Sequence, residues 1–420
     1  MEKKAKTFHL EGYGCSLNQA ETERIALLLE SSGFKRERAE KAAFLLLNTC
    51  AVKTPTENKM LKRARELSLI AKKSGARLVV CGCLPLVCPE KIKMECENAE
   101  LLGTSLAEIA GFFEIPFSSK NFNVASKKNE CISIIPIAQG CLGNCTYCCV
   151  KNARGSLKSL PVAEIESAFT SALECSKEIW LTANDTGCYG FEKKTNLAVL
   201  LENLLKNNGD FRIRLGMMNP ANAKKFFPKL LRIMEDERVY KFLHMPVQSG
   251  SDKILQLMER HCTASDFEKM AVRAREKFPN ATLATDIIVA FPQETEKDFN
   301  ESLALLERVK PDIVNVSRFG ARPGTIAASL PGKISGSIAK QRTRIVSAKA
   351  RELALERNSL LVGCKEKILV SEKGSKGGFI GRTNSYKPVA VGNAEMCCFA
   401  EALIKKAFPT YLEGEILHKN

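Results

Sequence analysis

The chain has 420 residues, 45% of them hydrophobic and 26% charged, with a formal net charge of +16. That length allows two or three domains with their own cores, and the composition excludes a disordered or fibrous protein. The positive balance suits a polyanionic partner, because each phosphate neutralised releases counterions, although a merely soluble basic protein would carry the same charge.

The opening MEKKAK leads into no apolar segment, and no uncharged apolar run reaches the roughly 18 residues of a membrane span. A cytoplasmic protein without membrane contact is expected. Thiols stay reduced there, so clusters among the seventeen cysteines point to metal or catalysis before disulfides. Most cysteines still read as small buried residues; Cys96, Cys131, Cys175, Cys262 and Cys364 have no cluster context.

Residues 5–122 alternate short apolar runs with amphipathic ones. Thr7–Leu10, Ala43–Leu47 and Ala76–Val80 read as strands, with a possible fourth at Leu101–Leu102. Asn18–Ser32 and Pro55–Ser74 read as helices ended by Gly33 and Gly75. This βα series predicts a parallel sheet covered by helices. Ser118–Glu130 has the polar composition of a linker.

Within a second part over residues 131–357, residues 131–335 repeat strand then helix six times. The predicted strands are Ile132–Ala138, Glu178–Thr182, Arg212–Gly216, Lys241–Val247, Thr282–Val289 and Asp312–Ser317. Val162–Cys175, Leu197–Lys206 and Ser265–Lys277 are amphipathic helices between them. Six such units predict an incomplete (β/α)6 barrel, whose chemistry belongs at the C-terminal strand ends. A helix over Ile338–Arg357 follows, with six Lys/Arg against two Glu. Residues 358–420 change to short β-like runs (Lys367–Val370, Val389–Val391, Tyr411–Leu417) around Gly-rich turns such as Gly374–Gly378, which predicts a small β-barrel. The whole is an α/β chain of three parts.

The chemistry concentrates in QGCLGNCTYCCVKNARG, residues 139–155. Cys141, Cys145 and Cys148 have C-x3-C-x2-C spacing on the loop after the first barrel strand. Three thiolates can hold three corners of a [4Fe–4S] cluster and leave one iron open for a substrate. Zinc would want a fourth cysteine or a histidine; the segment has no histidine, although Cys149 could serve. Gly140 and Gly143 let the backbone wrap closely.

Upstream, Cys15 stands in GCSLN, Cys50 in NTC and Cys83 in GC. Their gaps are too wide for a local motif, but each follows one of the first three strands. Loops at the C-terminal edge of a parallel sheet converge, so three thiolates can meet there. Three unrelated buried thiols would give the same spacing, and Cys81 rivals Cys83.

With Tyr147 before its last cysteine, the central triad resembles the radical S-adenosylmethionine enzymes. In that family the open iron chelates S-adenosylmethionine, and an electron from the cluster cleaves it to a 5′-deoxyadenosyl radical. GCSLN, NTC and GC, ahead of this triad and a small β-domain, resemble the methylthiotransferases over about residues 5–417. The resemblance implies two [4Fe–4S] clusters, an auxiliary one on Cys15, Cys50 and Cys83 and the radical one on Cys141, Cys145 and Cys148. It also implies an electron donor and a sulfur donor.

Asn184-Asp185-Thr186-Gly187-Cys188-Tyr189-Gly190 resembles the family's QDTxxYG, which would place Asn184 and Asp185 near the cofactor's amino group. His244–Gly250, with Gln248 and Ser249, resembles PxQSGS. Thr285–Thr295, with Asp286, resembles TDIIVGFPxET, whose strand lies along the adenine. Ser317-Arg318-Phe319 resembles the loop after strand six. Tyr147, Asn184, Asp185, Gln248, Ser249, Asp286 and Arg318 are the implied cofactor contacts. His244 is an acid–base candidate, though a strand-end histidine is more often a satisfied polar residue.

RIRLGMMNP (Arg212–Pro220), SRFxxRPGT and GRTNSYKPV (Gly381–Val389) resemble the branch acting on N6-threonylcarbamoyladenosine at position 37 of tRNA. Other branches act on isopentenyladenosine or on a ribosomal-protein aspartate. The terminal β-domain resembles the TRAM domain, and the basic charge favours tRNA as partner. A non-enzymatic RNA-binding iron–sulfur protein is the rival of another class. The sequence departs from the family by lacking a proline soon after Cys148, by Asn184 where Gln is common, and by Ala290 where Gly is common.

Overall fold

The computed structural model describes residues 6–117 and 125–417. The expected linker residues Ser118–Asn121, and the expected boundaries at 5, 122 and 420, lie outside them. The first part is a five-stranded parallel sheet in the order Lys35–Arg36, Thr7–Gly12, Phe44–Thr49, Arg77–Gly82, Glu100–Leu101. Helices Ser16–Ser31 and Thr54–Ser74 cover it, the second closed by Gly75 in the left-handed conformation. Apolar clusters form on both faces, one around Leu45, Leu47, Met60, Leu67 and Val80, the other around Phe8, Leu28, Leu46 and Val79. Two-sided burial is why these strands read as continuous apolar runs.

Two short helices, Cys83–Val87 and Pro89–Glu95, were not expected. The linker reading fails for Ser126–Lys127, which pairs antiparallel with the strand Ile132–Pro136. Buried Ser126 donates its hydroxyl to Ala20 O at 2.8 Å, so a polar pair is held as an edge strand by contacts its composition does not show.

The central six strands are Ile132–Pro136, Glu178–Thr182, Arg212–Leu215, Phe242–His244, Thr282–Val289 and Ile313–Arg318; the first three pair in parallel, as do the last three. The third is linked to the segment leading into the fourth by Ile213 N to Arg238 O at 2.7 Å and Tyr240 N to Ile213 O at 3.0 Å. Among the described residues the first and sixth strands do not pair, so the barrel stays open. The basic helix runs over Gly336–Ser359.

Five strands then close a small barrel: Lys365–Lys373, Phe379–Thr383, Pro388–Val391, Leu412–Leu417 and Phe399–Ala407, in that spatial order. Ile368, Val370, Val389, Ala402, Ile404 and Leu412 fill it. It is locked to the central barrel by buried charge. Lys387 Nζ donates to Asp312 Oδ1 at 2.6 Å and to Asn358 Oδ1 at 2.7 Å, while Tyr386 packs edge-on against Tyr240 at 4.8 Å between centroids. Among the described residues no helix is long and apolar enough to cross a membrane.

Candidate active site

The three N-terminal cysteine loops are adjacent because their strands are neighbours in the sheet. The motif residues around the cysteines hold the loops together. Asn18 Nδ2 donates to Tyr13 O at 2.6 Å and to Asn48 O at 3.3 Å; Asn48 Nδ2 answers to Asn18 O at 3.1 Å and Thr22 Oγ1 at 2.9 Å. Thr49 Oγ1 donates to Cys81 O at 2.6 Å and accepts from Leu84 N at 3.2 Å, which ties the Cys50 loop to the Cys83 loop. Gly82 has φ +92°, and a Cβ there would stand 2.5 Å from Thr49 O, so only glycine permits this approach. Likewise a Cβ on Gly14 would stand 2.9 Å from Cys50 Sγ.

Cys81, the rival, is fully buried among Phe8, Leu46 and Val79. Cys83 instead begins the next helix and accepts a hydrogen bond from Arg154 Nε at 3.2 Å. Burial pushes its thiol up to about 12, with Arg154 opposing.

The central triad lies on the rim of barrel strand one. Gly143 N donates to Cys141 Sγ at 3.3 Å, and Arg260 Nη1 donates to Cys145 Sγ at 3.6 Å. The loop is braced from three sides. Asn184 Oδ1 accepts from Gly140 N at 3.0 Å, Thr146 Oγ1 donates to Leu257 O at 2.8 Å, and Ala327 N donates to Thr146 O at 2.9 Å. Tyr147 packs with Ile254, Met258, Phe291 and Ala327. A hydrogen bond from Cys188 holds the Cys141 thiol down near 7, whereas burial pushes Cys148 up to about 12. N–H donors aimed at sulfur suit anionic, metal-binding thiolates, and they reach Cys83 in the first set and Cys141 and Cys145 in the second.

Asp185 is buried, and burial raises its pKa. Its carboxylate accepts from Gly187 N, Asn219 N and Asn222 Nδ2, each at 2.8 Å, pinning the turn after strand three. Gln248 is left-handed at φ +82°, with backbone bonds to Asp286 O and from Ile288 N at 2.9 Å. Ser249 is fully buried and meets Ser302 Oγ at 3.3 Å. Asp286 is raised by burial, yet the His244 hydrogen bond at 3.0 Å, aided by Asn315 at 2.8 Å, holds it below the usual range. His244 is thus a satisfied polar partner. Arg318 ends strand six and is exposed, with no side-chain partner among the described residues.

The signals missed in the sequence are Arg154 and Arg260; Cys149 and Cys188 were visible as extra thiols beside the rim, without a role. Cys149 is buried in the N-terminal core and contacts Ala51 O at 3.5 Å; no metal role is needed to explain it. Cys188 brings its sulfur, with Cys141 and Asp185, to within 4.8 Å of one another. Cys175 and Cys364, expected to be buried fillers, are exposed. Ala290 has φ +58° and donates its N–H to Glu294 Oε2 at 2.7 Å. A left-handed alanine costs about 1–2 kcal/mol and glycine's unfolded freedom returns about half of that. Ala290→Gly is therefore expected to stabilise the chain by about 0.5–1 kcal/mol, read as a higher urea midpoint.

An open six-stranded barrel with three cysteines on its first rim loop is the architecture of the radical S-adenosylmethionine class. Residues 135–306 match the Radical SAM superfamily, residues 360–417 the TRAM domain, and residues 7–103 the family described as "Uncharacterized protein family UPF0004". The fold is similar to a radical S-adenosylmethionine methyltransferase, TsrM, from Kitasatospora setae solved with cobalamin and a [4Fe-4S] cluster. The TM-score is 0.58 at 11% identity, over 77% of this chain and 76% of that one. The chain is 40% identical, over 97% of its length and 99% of the relative's, to the "Probable threonylcarbamoyladenosine tRNA methylthiotransferase" of Pyrococcus horikoshii. It is 33% identical to the Homo sapiens threonylcarbamoyladenosine tRNA methylthiotransferase, over 90% of this chain and 68% of that protein. This chain belongs to the threonylcarbamoyladenosine tRNA methylthiotransferase family.

Proposed function

We propose that this protein adds a methylthio group to C2 of N6-threonylcarbamoyladenosine at position 37 of tRNA by radical S-adenosylmethionine chemistry. The observation that carries this reading is the junction of the two thiol sets. Cys148 and Arg154 bracket one short segment, and Arg154 reaches Cys83 at 3.2 Å. A radical enzyme that only abstracts hydrogen needs one such set; one that also installs sulfur has a use for a second. The similarity over nine-tenths or more of this chain to relatives of that name favours threonylcarbamoyladenosine over isopentenyladenosine or a protein aspartate.

Cys141, Cys145 and Cys148 would hold a [4Fe–4S] cluster whose open iron binds S-adenosylmethionine and whose electron cleaves it, and Cys15, Cys50 and Cys83 a second that carries sulfur. That chemistry is required because an aromatic C–H resists acid–base attack. The protein's own residues position it. Asn184 holds Gly140, Arg260 holds Cys145, and Asp185 orders the turn at Asn219. Gln248 and Asp286 line the next strand ends, and Arg318 offers an unspent cation at the mouth. Parts 5–122, 131–357 and 358–420 would act as sulfur site, radical core and RNA grip, the last reading tRNA by charge and shape. An electron donor and a sulfur donor would be met in the cytoplasm.

Nucleoside mass spectrometry of tRNA tests the proposal. Deleting the protein is expected to remove 2-methylthio-N6-threonylcarbamoyladenosine and leave its unthiolated precursor. Unchanged tRNA beside an altered ribosomal protein would sink it.

A further inference from the structure

Arg154 belongs to neither cysteine motif, yet it touches one of them. Its side chain is 1% exposed. Nη2 donates to Glu21 Oε2 at 2.7 Å and to Asn18 Oδ1 at 3.4 Å, Nη1 pairs with Glu21 Oε1, and Nε donates to Cys83 Sγ at 3.2 Å. A buried charge costs several kcal/mol to desolvate unless paired and hydrogen-bonded. Glu21 satisfies the outer nitrogens. The remaining N–H points at sulfur, which accepts weakly as a thiol and well as a thiolate. The guanidinium is planar and rigid, so fixing two nitrogens on Glu21 fixes the direction of the third.

Its backbone is equally determined. Arg154 ends the helix Val150–Arg154, which begins two residues after Cys148 and stops at Gly155, φ +69°. Cys149 and Ala153 of this segment pack into the N-terminal core beside Cys83 and Leu84. The chain leaving the central triad therefore carries a cation into the N-terminal thiol site.

We propose that Arg154 is a positioning residue of that site: its Nε–H orients the Cys83 sulfur, and its charge favours the reduced, more negative state of the cluster held there. Glu21 sets how much of that charge is felt. Hydrogen bonds to ligand sulfurs and net charge are the levers that move such potentials. The inference rests on the reading that Cys15, Cys50 and Cys83 bind a cluster.

The test uses the full chain with Cys141, Cys145 and Cys148 replaced by alanine, loaded anaerobically with ferrous iron and sulfide. Its midpoint potential is followed by electron paramagnetic resonance during dithionite titration. Glu21→Gln keeps the cation and removes its counter-charge; the potential is expected to move positive. Glu21→Gln with Arg154→Gln leaves a neutral hydrogen-bonding pair with no unpaired buried charge, and circular dichroism checks that the variant is folded; the potential is expected to move negative. A positive shift in the first with a negative shift in the second upholds the assignment, and the reverse pair overturns it. Coincident potentials, or shifts of one sign, overturn it while leaving the cluster reading intact. A parent that binds no iron overturns both.

Discussion

Replacing Cys83 by alanine is expected to halve the iron of anaerobically prepared protein, from about eight to about four per chain, as loss of one of two [4Fe–4S] clusters requires. Methylthio transfer should fall at least about a thousandfold, more than about 4 kcal/mol of barrier, since no acid–base route replaces the lost chemistry. Cleavage of S-adenosylmethionine should persist, because the central triad is intact. Cys145→Ala should remove the other half of the iron and abolish both reactions. Cys81→Ala is the control. That sulfur lies in the apolar core among Phe8 and Val79, so its loss should cost about 1 kcal/mol of stability and no iron. Iron analysis with product assays decides the matter. Equal iron loss in the Cys81 and Cys83 variants would defeat the assignment.

The contrast between Cys81 and Cys83 follows from backbone geometry. Both sit near the end of one strand, and a continuous strand would point them to the same face. Gly82 breaks that rule with its left-handed φ, so Cys83 leaves the sheet as the first residue of a helix. Asn18, Asn48 and Thr49 then zip the three loops together. The invariant need is for loops close enough to share a ligand, and short polar side chains at the strand ends supply it.

Much of this was legible in the sequence. Glu178–Thr182 and Thr282–Val289 are strands with the expected bounds, because barrel strands buried on both faces announce themselves as apolar runs. The terminal barrel was harder. Phe379–Thr383 and Phe399–Ala407 went unread, since the second carries Glu401, Lys405 and Lys406, and a register shift between Ile404 and Lys406 spoils its alternation. The cysteines were legible because thiols are rare and spacing is local. Arg154 was not, because its meaning lies in Glu21, 133 residues away, and in Cys83. Basic residues are ordinary in a chain of this charge, and nothing nearby marks this one as buried.

The same long-range logic makes Asp312 the strongest single point of attack on stability. It immediately precedes strand six, is buried, and meets three cations: Lys387 at 2.6 Å, Arg275 at 3.1 Å and Arg357 at 3.4 Å. Burial raises its pKa, but Lys387 and Arg357 outweigh this and hold it below the ordinary value. Asp312→Asn would leave those cations facing an amide across the seam between the two barrels, a loss of about 3–5 kcal/mol for a broken buried pair. Lys387→Met should cost less, because Asp312 keeps two arginines. The sign of the pH dependence follows from the lowered pKa. Asp312's contribution is complete above the unfolded aspartate value of about 3.9 and is lost as pH falls through the folded value. The gap between wild type and Asp312→Asn should therefore be full at neutral pH and close under acid. Urea midpoints measured from neutral pH down to about 2 check this, the gap narrowing only below about 3.9; a gap that stays constant over that range would show that shape, not charge, holds the terminal barrel in place.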